Sequence, residues 1–335
     1  MSWWRRHLVL TLIIILAWVG IRVVGTVTPR RVLAQGQPEL PIASGEKLLV
    51  VAPHPDDETL AAAGLMQRVL GEGGSVRVVV LTCGDGYSLA ARNYFRRPEI
   101  SPAGYLRFGH VRMEETRRAV SVLGLDPTCV TFLGFPDRGL ASIWMTGRST
   151  SRYTGVSVVP YRECYRPGAA YTRQELEEEL RQIIASFRPT ILAFPDPADG
   201  HPDHRAAYYL LQSVLERQLE PCRSRLLLYR VHPHTRSRVL EQYLGLPTGG
   251  EHGDGVYNLS LSGMERGAKR RALATYRTQT AVWSELFLRS FLSPTETFRL
   301  ARPSVPAGPP ASAGPPVSTD PPASSGAALM GEVSP

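Results

Sequence analysis

The stretch KLLVVAPHPDDE, residues 47–58, joins a short apolar run to a cluster of imidazole and carboxylate groups. Residues 47–53 are apolar and rich in β-branched side chains, which is typical of a buried strand in a parallel sheet. Residues 58–70 have the spacing of a helix that ends in a glycine-rich turn. The polar cluster at residues 54–58 is therefore predicted to lie at the carboxyl end of a strand.

The alternation of strands and helices continues along the chain. Further strands are predicted at residues 75–82, 129–133, 190–195 and 225–231, and further helices at residues 105–123, 172–187, 206–219 and 262–277. Strands that alternate with helices imply βαβ crossovers. Residues 46–300 are therefore expected to form a Rossmann-like, three-layer α/β domain with a mostly parallel sheet.

Polar motifs follow four of the predicted strands. They are HPDDE (54–58), CGDG (83–86), GFPD (134–137) and DPADGHPDH (196–204). In open α/β sheets the ligand binds beyond the carboxyl ends of the strands. The four motifs are therefore expected to share one edge of the sheet and to form one site there.

Three side chains of these motifs suit a divalent metal ion. His54 and Asp57 are three residues apart across a proline turn, and His204 can supply a third ligand from a neighbouring loop. Imidazole and carboxylate ligands suit Zn²⁺, and a catalytic zinc site has about three protein ligands and one open position. We therefore expect one Zn²⁺ ion per chain.

The remaining polar side chains of the two motifs suit acid–base chemistry. Asp56 is left free beside the metal and can take the proton of a water molecule that the metal activates. His201 can stabilise an oxyanion or protonate a leaving nitrogen. Asp203 can orient a histidine. These residues predict a hydrolase.

The motifs together resemble the PIG-L/LmbE-like family of zinc-dependent de-N-acetylases. The similarity is carried by VVAPHPDDETLAAAG (50–64), TCGDG (82–86), RMEETRRAVSVLG (112–124), GFPD, HPDH and KRRALATYRTQ (269–279). The resemblance implies a Rossmann-like fold and removal of the acetyl group from N-acetylglucosaminyl lipids or N-acetylglucosaminyl-inositol. It implies the same metal ligands, with Asp56 as general base and His201 as its electrostatic or acid partner.

The resemblance also suggests substrate-binding residues. Arg112 corresponds to a family position that helps to hold the substrate, and Glu58 is expected to contribute as well. One departure is Tyr276, because many relatives have His in this late helix. The resemblance says nothing about residues 138–171.

Residues 138–173 are a long connection rich in arginine and aromatic residues. They hold six Arg, four Tyr and one Trp against a single acid, Glu163. Aromatic faces and guanidinium groups suit a sugar that carries phosphate or another anion, whereas a solvated surface insertion is the alternative. His232, at the end of a predicted strand, is interpreted as a structural histidine.

Composition excludes several other classes of protein. The 335 residues are 43% hydrophobic and 20% charged, which is ordinary for a globular protein. The formal net charge of +8 lacks dense basic runs interleaved with aromatics, so we expect no nucleic-acid partner. The four cysteines have no C-x-x-C spacing, which argues against a zinc knuckle.

The N-terminal residues 1–27 are predicted to be a membrane segment. An apolar run begins at residue 8 and, if Arg22 snorkels, reaches residue 27, which is long enough to span a bilayer. A signal peptide cleaved after Ala34 and a buried helix are the alternatives. Arg5 and Arg6 favour a catalytic domain on the extracytoplasmic side, while Arg22, Arg30 and Arg31 favour the cytoplasmic face.

Two further segments flank the predicted domain. Residues 28–45 are expected to be a linker. Residues 301–335 are dominated by Pro, Ala, Ser and Gly and are expected to be disordered.

Three functions remain open. The first is metal-dependent removal of acetyl from an N-acetylglucosaminyl substrate, lipid-linked, glycan or small glycoside. The second is hydrolysis of another N-acyl amide. The third is a metal- or sugar-binding protein without turnover, which the presence of both Asp56 and His201 disfavours.

Overall fold

A seven-stranded, mostly parallel sheet organises the molecule. The computed structural model describes residues 37–217, 224–232, 255–280, 287 and 290–301. The strands are β1 (Lys47–Ala52), β2 (Ser75–Thr82), β3 (Val130–Phe135), β4 (Ile191–Pro195), β5 (Arg225–Tyr229), β6 (Val256–Ser260) and β7 (Thr295–Ala301). Their order in the sheet is β3-β2-β1-β4-β5-β7-β6.

Helices cover the sheet. They are α1 (Asp57–Gly71), α2 (Ser88–Phe95), α3 (Pro102–Val122), α4 (Leu140–Thr146), α5 (Arg173–Phe187), α6 (Pro202–Glu216), α7 (Gly263–Leu273) and α8 (Arg277–Thr280). Helix α7 contacts α1 and α3, while α6 contacts α4 and α5. Every residue of β4 is buried, and so are all residues of β1 except Lys47, as expected when helices cover both faces.

The five predicted strands form the parallel part of the sheet. Strands β3, β2, β1, β4 and β5 pair in parallel, which confirms the mostly parallel α/β architecture predicted from their apolar runs. Side chains cap the N-termini of two helices: the Ser101 side chain accepts from the Gly104 N–H, and the Thr172 side chain accepts from the Glu175 N–H.

The antiparallel strands β6 and β7 were not predicted. Strand β7 pairs antiparallel with both β5 and β6, and β6 forms this edge of the sheet. Its sequence, TETFRLA, alternates between polar and apolar residues and lacks the continuous apolar run that reveals a buried parallel strand. Helices α2 and α4 were not predicted either, because they are too short to show a clear helical periodicity.

The proposed membrane segment (1–27), the first half of the proposed linker (28–36) and nearly all of the C-terminal tail (301–335) lie outside the described residues. Within the described ranges, no helix has both the length and the hydropathy needed to cross a bilayer.

Candidate metal centre and active site

The site lies where the order of the parallel strands reverses direction. Strands β1 and β4 are neighbours, and the chain continues from β1 to β2 on one side and from β4 to β5 on the other. Such a reversal leaves a crevice beyond the carboxyl ends of the two central strands. The loop after β1 carries His54, and the loop after β4 carries His204. This topology brings together two motifs that are about 150 residues apart.

The three predicted metal ligands converge in this crevice. Asp57 Oδ2 lies 3.2 Å from His54 Nδ1 and 3.0 Å from His204 Nε2. The three side chains are almost completely buried. The ring of His201 joins them, since nitrogens of His54, His201 and His204 lie within 4.8 Å of one another. One carboxylate oxygen thus lies close to two imidazole nitrogens.

The remote nitrogens of both imidazoles face other carboxylates. His54 Nε2 lies 3.3 Å from Asp137 Oδ1 and 3.4 Å from Asp203 Oδ2, and His204 Nδ1 lies 3.3 Å from Asp199 Oδ2. A carboxylate in this position favours the tautomer whose other nitrogen is a free ligand, which is the usual arrangement around metal-binding histidines. The contact with Asp203 agrees with its predicted orienting role.

These residues fit a divalent metal ion. Among the described residues, the two nitrogens of the buried His204 ring lie 3.0 and 3.3 Å from carboxylate oxygens of Asp57 and Asp199, but neither makes a well-directed hydrogen bond. Burial acts to raise the pKa of Asp57, but His204 and His54 outweigh it and hold that pKa well below its usual range. Two imidazoles and an ionised carboxylate form a mixed nitrogen and oxygen donor set of the kind that suits zinc.

Asp56 is held in a strained conformation beside this donor set. Its φ of 114° lies in the left-handed region, which non-glycine residues rarely adopt. Arg112 Nη2 donates to Asp56 Oδ2 at 2.9 Å and to the Pro55 carbonyl at 2.6 Å, while Nη1 donates to the Gly84 carbonyl at 2.9 Å. Burial raises the pKa of the Asp56 carboxyl, and the Arg112 charge opposes this rise.

Arg112 and Glu58, the two predicted substrate-binding residues, both lie behind Asp56. Arg112 is 3% exposed and Glu58 is fully buried. Glu58 Oε2 accepts the Asp56 N–H at 3.1 Å, and its other oxygen accepts from the hydroxyls of Thr59 and Tyr276. Their contacts hold the backbone and carboxylate of Asp56, as residues that position this carboxylate would.

His201 presents a defined hydrogen-bond donor. It is the N-cap of α6, and its Nδ1 accepts the Asp203 N–H at 3.2 Å. Because Nδ1 is an acceptor, the neutral ring carries its proton on Nε2. Burial lowers the pKa of His201, which favours the neutral ring.

Sequence reasoning missed Asp137, Asp199 and His232 as parts of the site. Asp199 is fully buried, accepts the backbone N–H groups of His201, Val231 and His232, and lies 3.3 Å from Nδ1 of both His204 and His232. The His232 ring centroid lies 4.6 Å from that of His204. Asp137 lies in the GFPD motif and Asp199 in the DPADGHPDH motif. Their position directly after a predicted strand was the signal that could have identified them.

The arginine- and aromatic-rich connection packs against the rim of the site. Tyr161 donates its hydroxyl to Asp85 Oδ2 at 2.7 Å, and Tyr153 contacts Tyr105. Arg138 is exposed, while its backbone N–H donates to Asp203 Oδ2 at 2.7 Å. Part of this segment therefore borders the site, as a substrate-contacting segment would.

Known proteins are similar to this chain in sequence and in fold. Over 176 residues the chain is 29% identical to 1D-myo-inositol 2-acetamido-2-deoxy-alpha-D-glucopyranoside deacetylase of Mycobacterium sp. (strain KMS), covering 51% of this chain and 50% of that protein. The protein of the same name from Actinosynnema mirum is 29% identical over 258 residues, which cover 71% of this chain and 82% of the relative. The chain thus matches about half the length of its mycobacterial relative.

A solved structure, the zinc-inhibited form of teicoplanin deacetylase Orf2, has the same fold with a TM-score of 0.51 and 18% identity, over 76% of this chain and 97% of the other. Residues 49–215 match the family described as PIG-L, GlcNAc-PI de-N-acetylase, and they include every predicted metal ligand and Asp56. The chain therefore contains a domain of the PIG-L family.

Proposed function

We propose that this protein is a zinc-dependent deacetylase that hydrolyses the acetamide of an N-acetylglucosaminyl substrate. The observation that carries the proposal is the convergence of His54, Asp57 and His204, with the Asp56 carboxylate beside them. Membership of the PIG-L family and the names of the actinobacterial relatives support the substrate class. A bound Zn²⁺ ion would supply Lewis-acid polarisation of the acyl oxygen and lower the pKa of the attacking water.

Asp56 is the proposed general base. Its carboxylate takes one proton from the attacking water while the water oxygen bonds to the acetyl carbon. Arg112 holds Asp56 Oδ2 at 2.9 Å, which fixes the carboxylate and favours its ionised form before the reaction. The same carboxyl then returns the proton to the amine nitrogen as the carbon–nitrogen bond breaks. Cleavage gives acetic acid and the free amine, and transfer of the remaining water proton to the amine leaves acetate and the protonated amino sugar, so atoms and charge balance.

His201 is the proposed oxyanion donor. Its Nδ1 accepts the Asp203 N–H, so the neutral ring has only the Nε2 proton to offer. Full transfer of that proton would create an imidazolate, because Nδ1 cannot take up a proton while it accepts this bond. The geometry therefore favours a hydrogen bond from Nε2 to the developing oxyanion over protonation of the leaving nitrogen.

Acetate release from a panel of substrates tests the proposal. The full chain is stripped of metal, reloaded with Zn²⁺ and offered N-acetylglucosaminyl-inositol, lipid-linked N-acetylglucosamine and simple N-acetylglucosaminides. We expect acetate from at least one of them, and release that is slower by roughly 10²–10⁴-fold from the Asp56→Asn variant. Release only from amides with longer acyl chains would favour the second candidate, a different N-deacylase.

We further propose that residues 8–27 anchor the domain in a membrane, with the catalytic domain on the extracytoplasmic side. The apolar run and the flanking Arg5 and Arg6 support this arrangement, which brings the site to lipid-linked or cell-envelope sugars. Protease added to intact spheroplasts should digest the domain. Survival of the domain until the membrane is opened would contradict the orientation, and mass spectrometry of the mature N-terminus shows whether the chain is cut after Ala34.

A further inference from the structure

Helix α1, which carries the proposed metal ligand Asp57 in its first turn, is interrupted at Ala62. This residue has φ −134° and ψ 16°, well outside helical values, although it is the middle one of three consecutive alanines, which favour a helix. In a regular helix the N–H of Gly64 would donate to the carbonyl of Leu60, four residues earlier. The interruption separates the first turn of α1 from the rest of the helix.

An ion pair from two distant elements occupies this interruption. Glu296 of β7 accepts the N–H groups of Gly64 and Leu65 at 2.8 and 3.0 Å, one on each carboxylate oxygen. Lys269 of α7 donates from Nζ to the Leu60 carbonyl at 2.8 Å and to Glu296 Oε1 at 2.7 Å. Both backbone groups of the expected Gly64–Leu60 hydrogen bond therefore have a charged side chain as partner.

The ion pair is buried, and removing its two charges from water costs free energy. The side chains of Lys269 and Glu296 are 2% and 3% exposed. Removing two charges from water is expensive, and an ion pair in such a place is often no more stabilising than apolar side chains of the same volume. Its geometry is nevertheless specific: a Cβ on Gly64 would lie 3.0 Å from Glu296 Oε2 and 2.1 Å from a methyl carbon of Leu261. The close approach of the carboxylate to the backbone therefore requires a glycine.

The contacts continue from the pair to the catalytic residues. Lys269 holds the carbonyl of Leu60, and the N–H of Leu60 donates to the carbonyl of Asp56 at 2.8 Å. Asp56 precedes the ligand Asp57, and its own backbone is in the left-handed conformation. The direction of the first turn thus depends on where Lys269 and Glu296 hold its far end.

We propose that Lys269 and Glu296 are positioning residues, which set the direction of the first turn of α1 and so hold Asp57 and Asp56 in register with His204. The inference rests on the proposed metal-dependent function. It assigns the two charges a role in metal affinity that a purely structural ion pair would not have.

Two measurements on the metal-free full chain test this inference. The first is its affinity for Co²⁺, measured by competition with a chelator, and the second is the visible absorption spectrum of the Co²⁺ form. Lys269→Met should weaken Co²⁺ binding by about tenfold or more and change the absorption spectrum, because the ligand geometry changes. Thermal unfolding checks whether the variant is folded. If Lys269→Met does not fold, Glu296→Gln tests the same point, since it keeps the shape and one carbonyl acceptor.

Arg68→Met is the matched control. Arg68 also links α1 to α7, through Glu265 at 3.0 Å, but beyond the interruption. This control should leave Co²⁺ affinity unchanged. A folded Lys269→Met or Glu296→Gln variant with wild-type affinity and spectrum would overturn the inference and leave the proposed function standing. A wild-type chain that binds no Co²⁺ would overturn both.

Discussion

Replacing Arg112 with methionine should move the acid limb of the pH–rate profile to higher pH. Arg112 donates to Asp56 Oδ2 and to the carbonyls of Pro55 and Gly84, and it is 3% exposed. Burial already raises the pKa of Asp56, and Arg112 is the first of the charges that oppose this rise. Without the guanidinium, burial acts with less opposition, so Asp56 should be protonated over a wider range of pH.

The direct contact between Arg112 and the Asp56 carboxylate determines how far the pKa of Asp56 should shift. A pKa shift of one unit corresponds to about 1.4 kcal/mol, and an opposite charge in direct contact typically shifts a carboxyl by roughly 1–3 units. A general base must be ionised to accept a proton. Since a higher pKa leaves less of the carboxyl ionised below it, we expect kcat/KM on the acid limb to fall by roughly 10–1000-fold in Arg112→Met.

The assay is acetate release by the zinc-loaded full chain over a range of pH, for the wild type, Arg112→Met and Arg112→Lys. Lysine keeps the positive charge but cannot make all three hydrogen bonds of Arg112. The acid limb of the Arg112→Lys profile should therefore shift less than that of Arg112→Met. Arg118→Met is the control, because Arg118 is exposed on the same helix. An acid limb at the same pH in the folded Arg112→Met variant and the wild type would refute the positioning role.

Four further substitutions have defined outcomes. Asp199→Asn should lower metal affinity by roughly 10–100-fold in a chelator competition, because the carboxylate facing His204 Nδ1 is lost; unchanged affinity would exclude that role. His204→Ala should lose metal, whereas Asp56→Ala should keep it and slow turnover by roughly 10²–10⁴-fold; equal metal loss in both would contradict the division of roles. Glu179 is fully buried, neither of its carboxylate oxygens has a hydrogen-bond partner among the described residues, and its pKa is raised to about 8. The folded protein therefore resists ionisation and loses stability as pH rises from about 4.5 to about 8, so Glu179→Gln should be more stable than the wild type by about 1–3 kcal/mol at pH 8 and by little at pH 4 in denaturant unfolding. An equal gain at both values would show that ionisation is not the cause.

Local sequence was sufficient to predict the parallel half of the fold and the convergence of the three proposed metal ligands. The runs KLLVVA and ILAFP are continuous and apolar, and each is followed within ten residues by histidine and acid. Because neighbouring parallel strands end at the same edge of a sheet, the residues that follow these two strands lie close together. No tertiary information was needed to expect His54 and His204 in one crevice.

The rest depends on contacts between distant residues. The contact between Asp199 and His204 requires the first turn of α6 to fold back over the loop, and the placement of Arg112 behind Asp56 requires the packing of α3 against β1 and β2 loops. The break at Ala62 runs against helix propensity and depends on two charges more than 200 residues later. Periodicity within one segment carries no information about such partners.

Metal content and acetate release, measured on the same samples of the full chain, test the central claim most directly. The samples are wild-type protein as purified, after chelator treatment and after reloading with Zn²⁺, with N-acetylglucosaminyl-inositol and the other N-acetylglucosaminides as substrates. The account predicts about one metal ion per chain, loss of acetate release with loss of metal, and recovery of both on reloading. Undiminished acetate release by the metal-free chain, or no release from any of these substrates by the fully loaded chain, would contradict it.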